Sequence, residues 1–168
     1  MNLFILRHGI AVERDPVSFP DDSLRPLTLK GEDRLKTICE AMKALELSFD
    51  YLFSSPFRRA SQTAEIVAEA MGLKKVLEFR DELTPDGDPK ALVKYLGKLE
   101  PTPRNIMLVG HEPYLSSFIS QLIFGEATAG IDLKKGGLAK LEIESQLRFG
   151  PCAKLAWLLT PKQLVLMV

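Results

Sequence analysis

Two apolar runs, each ending at a histidine beside a glycine, restrict the fold of this chain more than any other feature. Residues 3–6 lead into Arg7-His8-Gly9, and residues 106–109 lead into Gly110-His111. Short apolar runs bounded by turn residues are typical of buried β-strands. Because ligands of open α/β sheets bind beyond the carboxyl ends of the strands, we expect both imidazoles at one edge of one sheet. With an arginine beside the first histidine, this edge is suited to binding a phosphate.

The rest of the chain alternates predicted strands with predicted helices. Further strands are predicted at 51–54, 76–79, 137–143 and 153–159, the last two as a hairpin, and helices at 29–45, 55–71, 89–99 and 113–124. Ser55 and Pro56 are expected to begin the second helix, since serine can cap a helix and proline is tolerated in its first turn. Residues 10–27 are polar and contain prolines, which indicates a loop, and a glycine-containing loop is expected before the hairpin. This alternation predicts an α/β fold with a largely parallel sheet.

Length and composition indicate an ordinary globular protein, and the 168 residues are most simply one domain spanning 1–168. The formal net charge is zero, so the chain lacks the basic bias of many nucleic-acid-binding proteins. We expect no signal peptide, no membrane-spanning segment and a cytoplasmic location. Cys39 and Cys152 lie far apart in different elements and are expected to be buried free thiols rather than a disulfide.

Three motifs follow predicted strands in order, namely Arg7-His8-Gly9, residues 55–64 and Gly110-His111. With these motifs the chain resembles the histidine phosphatase superfamily, whose fold also serves the phosphoglycerate mutases. It is most similar there to the short bacterial phosphohistidine phosphatases of the SixA type, through residues 25–28 with Gly31 and residues 82–85 with Gly87 and Asp88. The resemblance implies a three-layer α/β/α sandwich with a mostly parallel central sheet, and phosphatase activity.

His8 is the candidate nucleophile. An imidazole attacks phosphorus only when it is neutral, and an ordinary histidine pKa of about 6.5 leaves a usable neutral fraction at pH 7. Covalent catalysis then proceeds in two steps, formation of a phosphohistidine and its hydrolysis by water. The resemblance implies this role for His8 and places Gly9 among the substrate-binding residues. We also expect His8 at a solvent-facing strand end, so that His8→Ala abolishes turnover without unfolding the protein.

Arg7 and Arg59 are the candidates for holding the phosphoryl group. Positioning and stabilising the charged equatorial oxygens does most of the catalysis in phosphoryl transfer, and a guanidinium binds two oxygens at once and keeps its charge. Arg59 also lies early in a predicted helix, whose amide end favours anions. The neighbouring Arg58 competes with it, but the spacing of the family motif from Ser55 favours Arg59.

His111 is the second imidazole of the expected site. We expect it to donate a hydrogen bond to a phosphoryl oxygen and to add positive charge when it is protonated. With no third histidine at ligand spacing and no cysteine pair, a zinc site is not expected. No metal or other cofactor is implied, because histidine and arginine supply the nucleophile and the charge.

The resemblance implies that a carboxyl group in the loop after the third strand protonates the leaving group. Glu82 is best placed for this by the family pattern, and a partly buried carboxyl is expected to have the raised pKa that a general acid requires. Asp81, Asp86 and Asp88 are alternatives, of which Asp88 can instead cap the helix after Pro89. A phosphoramidate leaving group, such as the imidazole of phosphohistidine, needs this acid less than an alkoxide does.

Short connections between the motifs predict an open, shallow site, which suits a phosphorylated side chain on a protein better than a small metabolite. The expected function is therefore hydrolysis of phosphohistidine on a partner protein, such as a phosphotransfer domain in signal transduction.

A small-molecule phosphomonoesterase is the alternative, for which residues 10–27 would be ordered over the site. A non-catalytic phosphate-binding module is opposed by the complete set of histidines and arginines. A mutase is disfavoured because the chain lacks the length for the usual lid, and a Rossmann-type nucleotide binder because no Gly-x-Gly-x-x-Gly follows the first strand.

Overall fold

Six β-strands and five α-helices follow one another in the computed structural model, which describes residues 1–127 and 130–168. The strands are β1 (Asn2–Arg7), β2 (Tyr51–Ser54), β3 (Leu77–Phe79), β4 (Asn105–Gly110), β5 (Leu138–Ile143) and β6 (Ala153–Leu159). The helices are α1 (Leu29–Ala44), α2 (Arg58–Met71), α3 (Pro89–Leu96), α4 (Tyr114–Phe124) and α5 (Pro161–Val165). The glycine-containing loop expected before β5 includes residues 128 and 129, which lie outside the described residues. Within the two described ranges, no helix combines the length and the apolar character that crossing a membrane requires.

The strands form one sheet in the order β3-β2-β4-β1-β5-β6. β3, β2, β4 and β1 pair in parallel, whereas β5 runs antiparallel to both β1 and β6. The predicted hairpin of the last two strands is therefore confirmed. Because β1, β4 and β2 are parallel neighbours, their carboxyl ends lie side by side at one edge of the sheet.

Helices cover both faces of the sheet. Along β1, Leu3 and Ile5 pack into the core on the side of α3 and α4, while Phe4 and Leu6 pack into the core on the side of α1, α2 and α5. The helices contribute buried apolar residues to these two cores, which include Leu92, Leu96, Leu115 and Phe118 on the first side and Leu35, Ile38, Val67 and Leu164 on the second. The predicted three-layer α/β/α sandwich with a mostly parallel central sheet is confirmed. Cys39 and Cys152 are buried and free, as expected.

The first helix begins where the sequence predicts. The side chain of Thr28 caps α1 by accepting a hydrogen bond from the backbone N–H of Gly31. Position 31 requires a glycine, since a Cβ atom there would lie 2.1 Å from the carbonyl oxygen of Ile10. This contact brings the start of α1 directly against the chain that leaves β1.

The second helix begins later than predicted. α2 starts at Arg58, so the expected start at Ser55 is wrong. The physical reason is that Ser55 still continues the sheet, because its N–H donates to the carbonyl of Val109 at 3.0 Å. Its hydroxyl accepts the N–H of Phe57 at 3.2 Å and thereby shapes the turn that precedes the helix.

The polar segment 10–27 is tied to the rest of the fold at several points. Ala11 and Leu27 form an isolated antiparallel bridge, and Asp22–Leu24 form a short 3-10 helix. The N–H of Leu27 donates to the side-chain oxygen of Gln62 on α2 at 2.9 Å. The segment is therefore an ordered connection that lies against α2.

Candidate active site

The ends of β1, β4 and β2 bring the polar side chains of the site together. The N–H of His8 donates to the carbonyl of Gly110 at 3.0 Å, so the pairing of β1 with β4 continues up to the first histidine. The rings of His8 and His111 have their centroids 5.2 Å apart. The structure thus brings both imidazoles to one edge of one sheet.

His8 is buried, with 4% of its surface exposed, so the expectation of a solvent-facing strand end is wrong. Its side chain is enclosed because Arg59 from α2 and His111, which follows β4, lie against it. Nδ1 lies 2.8 Å from the carbonyl oxygen of Gly9, which can only accept, and therefore carries the ring proton. Nε2 accepts a hydrogen bond from Nε of Arg59 at 3.3 Å. The lone pair of the neutral ring is consequently on Nε2, beside a guanidinium.

Both imidazoles are neutral at pH 7. Burial lowers the pKa of His8 to about 2, and the charges of Arg59 and Arg7 act in the same direction, against the hydrogen bond to Gly9. Burial likewise lowers the pKa of His111 to about 3, again assisted by the charge of Arg59. The neutral form that attack on phosphorus requires is thus the dominant form of His8. The positive charge expected from a protonated His111 is not present at this pH.

The hydroxyl of Ser55 orients His111. Ser55 Oγ lies 2.8 Å from Nε2 of His111 and also accepts the N–H of Phe57. We assign the single hydroxyl proton to the bond with Nε2, because in that tautomer Nδ1 of His111 is a donor and can bind a phosphoryl oxygen. Nδ1 of His111 then carries the ring proton, and this buried atom has no hydrogen-bond partner among the described residues. His111 therefore offers a buried N–H donor.

Arg59 contacts His8 and the charge of Arg7 acts on both histidines, whereas Arg58 is exposed. Nη1 of Arg7 donates to the carbonyl of Leu133 at 2.9 Å, and its buried Nε has no partner in the part of the chain that the structure describes. Arg59 is 4% exposed and directs Nε at His8. Arg58 is exposed, since consecutive residues of a helix point about 100° apart. The structure thus brings to His8 the two arginines that the family motifs favour.

Two further side chains, to which the sequence assigns no role, hold these groups in place. Thr63 Oγ1 accepts the N–H of Gly9 at 3.0 Å and donates to the carbonyl of Arg59 at 2.7 Å, which ties the end of β1 to α2. Asp22 binds the guanidinium of Arg59 through its carboxylate and its carbonyl oxygen. The sequence could have indicated the contact of Thr63 with Arg59, because Thr63 lies one helical turn after Arg59. The contact of Asp22 with Arg59 could not be found in this way, because Asp22 belongs to a loop without periodicity.

The carboxylate of Glu82 is bound to Arg80. It accepts hydrogen bonds from Nε at 3.2 Å and from Nη2 at 2.8 Å, and the guanidinium also stacks on the ring of Tyr95 at 3.7 Å. Burial acts to raise the pKa of Glu82, but the hydrogen bond and the charge of Arg80 outweigh it and hold that pKa below its ordinary value. The prediction of a raised pKa for Glu82 is therefore wrong. It did not take account of the ion pair with Arg80, which the sequence does not show. Asp88 caps α3 by accepting the N–H of Lys90, which confirms the capping role expected for it as the alternative to a general acid.

The donors of the site fit an oxyanion. Leaving a buried donor without an acceptor costs on the order of 1–3 kcal/mol, so the unpartnered Nε of Arg7 indicates a ligand that accepts hydrogen bonds. In the assigned tautomer, Nδ1 of His111 is a second such donor. A phosphoryl group bonded to Nε2 of His8 supplies such acceptors. Among the described residues, no three His, Cys, Asp or Glu side chains form a group that could hold a metal ion.

The fold and the cluster of histidines and arginines fit a protein that binds phosphoryl groups, and the known proteins that this chain matches include phosphatases. The profile of the histidine phosphatase superfamily (branch 1) matches residues 3–84. Phosphohistidine phosphatase SixA of Escherichia coli is 32% identical over 127 residues, which are 75% of this chain and 76% of SixA. An uncharacterized protein of Picosynechococcus is 37% identical over 142 residues, 84% of each chain.

Similarity to a solved structure extends over nearly the whole chain. The structure of the protein histidine phosphatase SixA complexed with tungstate matches with a TM-score of 0.84 and 27% identity, covering 98% of this chain and 99% of that one. The chain belongs to the histidine phosphatase superfamily, and it is a phosphatase similar to SixA.

Proposed function

We propose that this phosphatase hydrolyses phosphohistidine on a protein, such as a phosphotransfer domain, through a covalent phosphohistidine on His8. The observation that carries the proposal is the unprotonated Nε2 of His8, which lies 3.3 Å from Nε of Arg59. The unpartnered donors of Arg7 and His111 belong to the same cluster. A nitrogen lone pair surrounded by hydrogen-bond donors for the phosphoryl oxygens fits attack on a phosphoryl group.

The reaction takes two displacements at phosphorus. In the first, the Nε2 lone pair of His8 bonds to phosphorus while the bond to the substrate imidazole breaks, and that ring, protonated on its other nitrogen, keeps the electron pair and leaves as neutral imidazole. In the second, a water oxygen bonds to phosphorus, the bond to Nε2 breaks with its electron pair returning to His8, and phosphate is released as the water gives up one proton to the solvent. Arg7, Arg59 and the Nδ1–H of His111 stabilise the charge on the equatorial oxygens in both steps. The bond from Nδ1 of His8 to Gly9 keeps the ring oriented and stabilises its charge while it is phosphorylated.

The state of Glu82 favours a phosphoramidate over a phosphate ester as the substrate. An alkoxide leaving group requires a general acid with a raised pKa, but the pairing with Arg80 lowers the pKa of Glu82 and keeps the carboxylate ionised at pH 7. An imidazole whose second ring nitrogen is already protonated leaves as a neutral molecule and needs no further acid. The site therefore suits the cleavage of a phosphorus–nitrogen bond better than that of a phosphorus–oxygen bond.

The relatives support a protein as the substrate. SixA of Escherichia coli is named a phosphohistidine phosphatase, and the matching solved structure is named a protein histidine phosphatase. That structure holds tungstate, a tetrahedral oxyanion like phosphate. A phosphorylated signalling protein of the cytoplasm is accordingly the partner that we propose.

The test is phosphate release from a phosphohistidine-bearing phosphotransfer domain and from an aryl phosphate ester, both without added metal. We expect release from the protein by the wild type and none by His8→Asn. Arg58→Ala is the matched control, because Arg58 is exposed and adjacent to Arg59, and we expect it to change the rate no more than about twofold. Efficient release from the ester, with the phosphoprotein untouched, would refute the proposal.

A small-molecule phosphomonoesterase is the second candidate, and one observation favours it. Segment 10–27 is ordered against α2, and its Asp22 contacts Arg59, so the segment could help to enclose a small substrate. On this reading the ester in the same experiment is the better substrate.

A further inference from the structure

We infer that Asp22 is a positioning residue, which holds the guanidinium of Arg59 in the orientation that presents its Nε edge to the phosphoryl group on His8. The inference rests on the phosphatase activity, not on the identity of the phosphorylated substrate. Nη2 of Arg59 lies 3.0 Å from Oδ2 of Asp22, and Nη1 donates to the carbonyl oxygen of the same residue at 2.9 Å.

The two sides of the guanidinium have different partners. Both terminal nitrogens of Arg59 bind one residue, Asp22, whereas Nε points to Nε2 of His8. An arginine binds a phosphate in a defined plane through two of its nitrogens, so fixing its outer side also fixes the direction of its inner side. Nε and the remaining N–H of Nη2 are then directed to the place where phosphorus bonds to His8.

Asp22 is itself held by a second arginine. Its Oδ1 lies 3.0 Å from Nε of Arg25, and Nη1 of Arg25 donates to the carbonyl of Val12 at 2.7 Å. Burial acts to raise the pKa of Asp22, but the hydrogen bond from Arg25 and the charge of Arg59 hold it below its ordinary value, so the residue is a carboxylate at neutral pH. A carboxylate anchored between two arginines has the fixed geometry that a positioning residue needs.

We expect the loss of Asp22 to lower kcat rather than to change KM. If Asp22 aligns Arg59 with oxygens whose charge grows in the transition state, its loss removes transition-state stabilisation more than substrate binding. Misplacing a group that aligns the reaction by about 1 Å can cost about 100-fold in rate. We therefore expect Asp22→Ala to lower kcat about 30-fold, with KM changed less than about threefold.

Three single variants and a double-mutant cycle test the inference, all assayed on an aryl phosphate ester so that the result does not depend on protein specificity. Asp22→Asn retains one of the two side-chain acceptors and is expected to recover about a third of the activity lost by Asp22→Ala or more. Asp21→Ala is the matched control, because Asp21 caps the same 3-10 helix through Ser23 without contacting Arg59. It is expected to stay within about twofold of wild type.

The cycle combines Asp22→Ala with Arg59→Lys. Because Asp22 acts through Arg59, we expect Asp22→Ala to cost less than about threefold in the Arg59→Lys background, against about 30-fold in the wild type. Additive losses would overturn the inference, as would an equal loss in Asp21→Ala. Tighter inhibition of Asp22→Ala by inorganic phosphate would also overturn it, since that result means that Asp22 competes with phosphate for Arg59. If the wild type turns over neither the ester nor a phosphoprotein, it is the proposed function that fails. If it turns over only the phosphoprotein, the same variants and cycle are measured on that substrate, with the same expected losses.

Discussion

Nε of Arg59 donates a hydrogen bond to Nε2 of His8 across 3.3 Å, and this contact locates the reactive lone pair. In the proposed mechanism, the same nitrogen atom that accepts from the arginine bonds to phosphorus. When a phosphoryl group arrives, its oxygens replace Nε2 as the acceptor for Arg59, so the donor that marks the nucleophile also receives the substrate. No proton has to leave His8 before it attacks, because burial keeps the ring neutral.

The first prediction concerns the charge of the two histidines. Burial lowers the pKa of His8 to about 2 and that of His111 to about 3, so we expect neither ring to titrate between pH 8 and pH 5 in the free protein. The ring proton resonances measured by NMR across this range should stay in place, with both rings protonated on Nδ1. A titration midpoint near 6.5 for either histidine would contradict this account.

The second prediction is a loss of stability in acid. Because His8 stays neutral in the folded state but binds a proton in the unfolded state below a pKa of about 6.5, its contribution to the free energy of unfolding falls as the pH falls. Between pH 6.5 and pH 5 this loss amounts to about 1.5 kcal/mol. We expect urea unfolding of His8→Asn to show a fall smaller by that amount over the same interval, since the carboxylates titrate alike in both proteins. Equal pH dependence of the two proteins would contradict the buried, neutral state of His8.

The parts of the fold that follow from local patterns were predictable. The apolar runs that became β1 and β4 and the turn residues at their ends identify buried strands, and the three-layer arrangement follows from the alternation of strands and helices. The start of α2 was not predictable, because Ser55 looks like a helix cap in the sequence. In three dimensions its hydroxyl is shared between Phe57 and a histidine that lies 56 residues further along the chain.

The third prediction concerns this hydroxyl. Ser55→Ala removes the partner of His111 Nε2 and with it the bond that fixes the tautomer, so we expect kcat/KM to fall about tenfold. The ring nitrogen chemical shifts of His111 should then show a mixture of tautomers. Ser54→Ala is the control, since Ser54 is equally buried but donates to a backbone carbonyl, and its kcat/KM should stay within about twofold. A single Nδ1–H tautomer in Ser55→Ala would show that another group orients the ring.

The fourth prediction separates Glu82 from a general acid. Because Arg80 keeps this carboxylate ionised, we expect Glu82→Gln to change kcat/KM for the phosphohistidine protein less than about threefold. Loss of a general acid typically costs about 100-fold or more. Asp86→Asn, at an exposed position of the same loop, is the control for an effect of charge alone. A drop of the larger size, seen with Glu82→Gln and not with the control, would restore Glu82 as the acid.

As with the fold, part of the candidate site could be predicted from the sequence and part could not. His8, His111, Arg7 and Arg59 lie at strand ends or in a short motif, so sequence order is sufficient to place them together. The pairing of Glu82 with Arg80 and the direction of the histidine pKa shifts depend on burial and on rotamers, which local patterns do not encode. The contact of Asp22 with Arg59 spans 37 residues and starts in an aperiodic loop.

The covalent intermediate tests the central claim most directly. The wild type would be mixed with a phosphotransfer domain that carries radiolabelled phosphohistidine, and the reaction quenched in alkali within milliseconds. We predict a label on the enzyme that is stable in alkali and labile in acid, maps to His8, and is absent from His8→Asn. Release of labelled phosphate at the full rate with no label ever on His8 would contradict the account, because water would then attack the substrate directly.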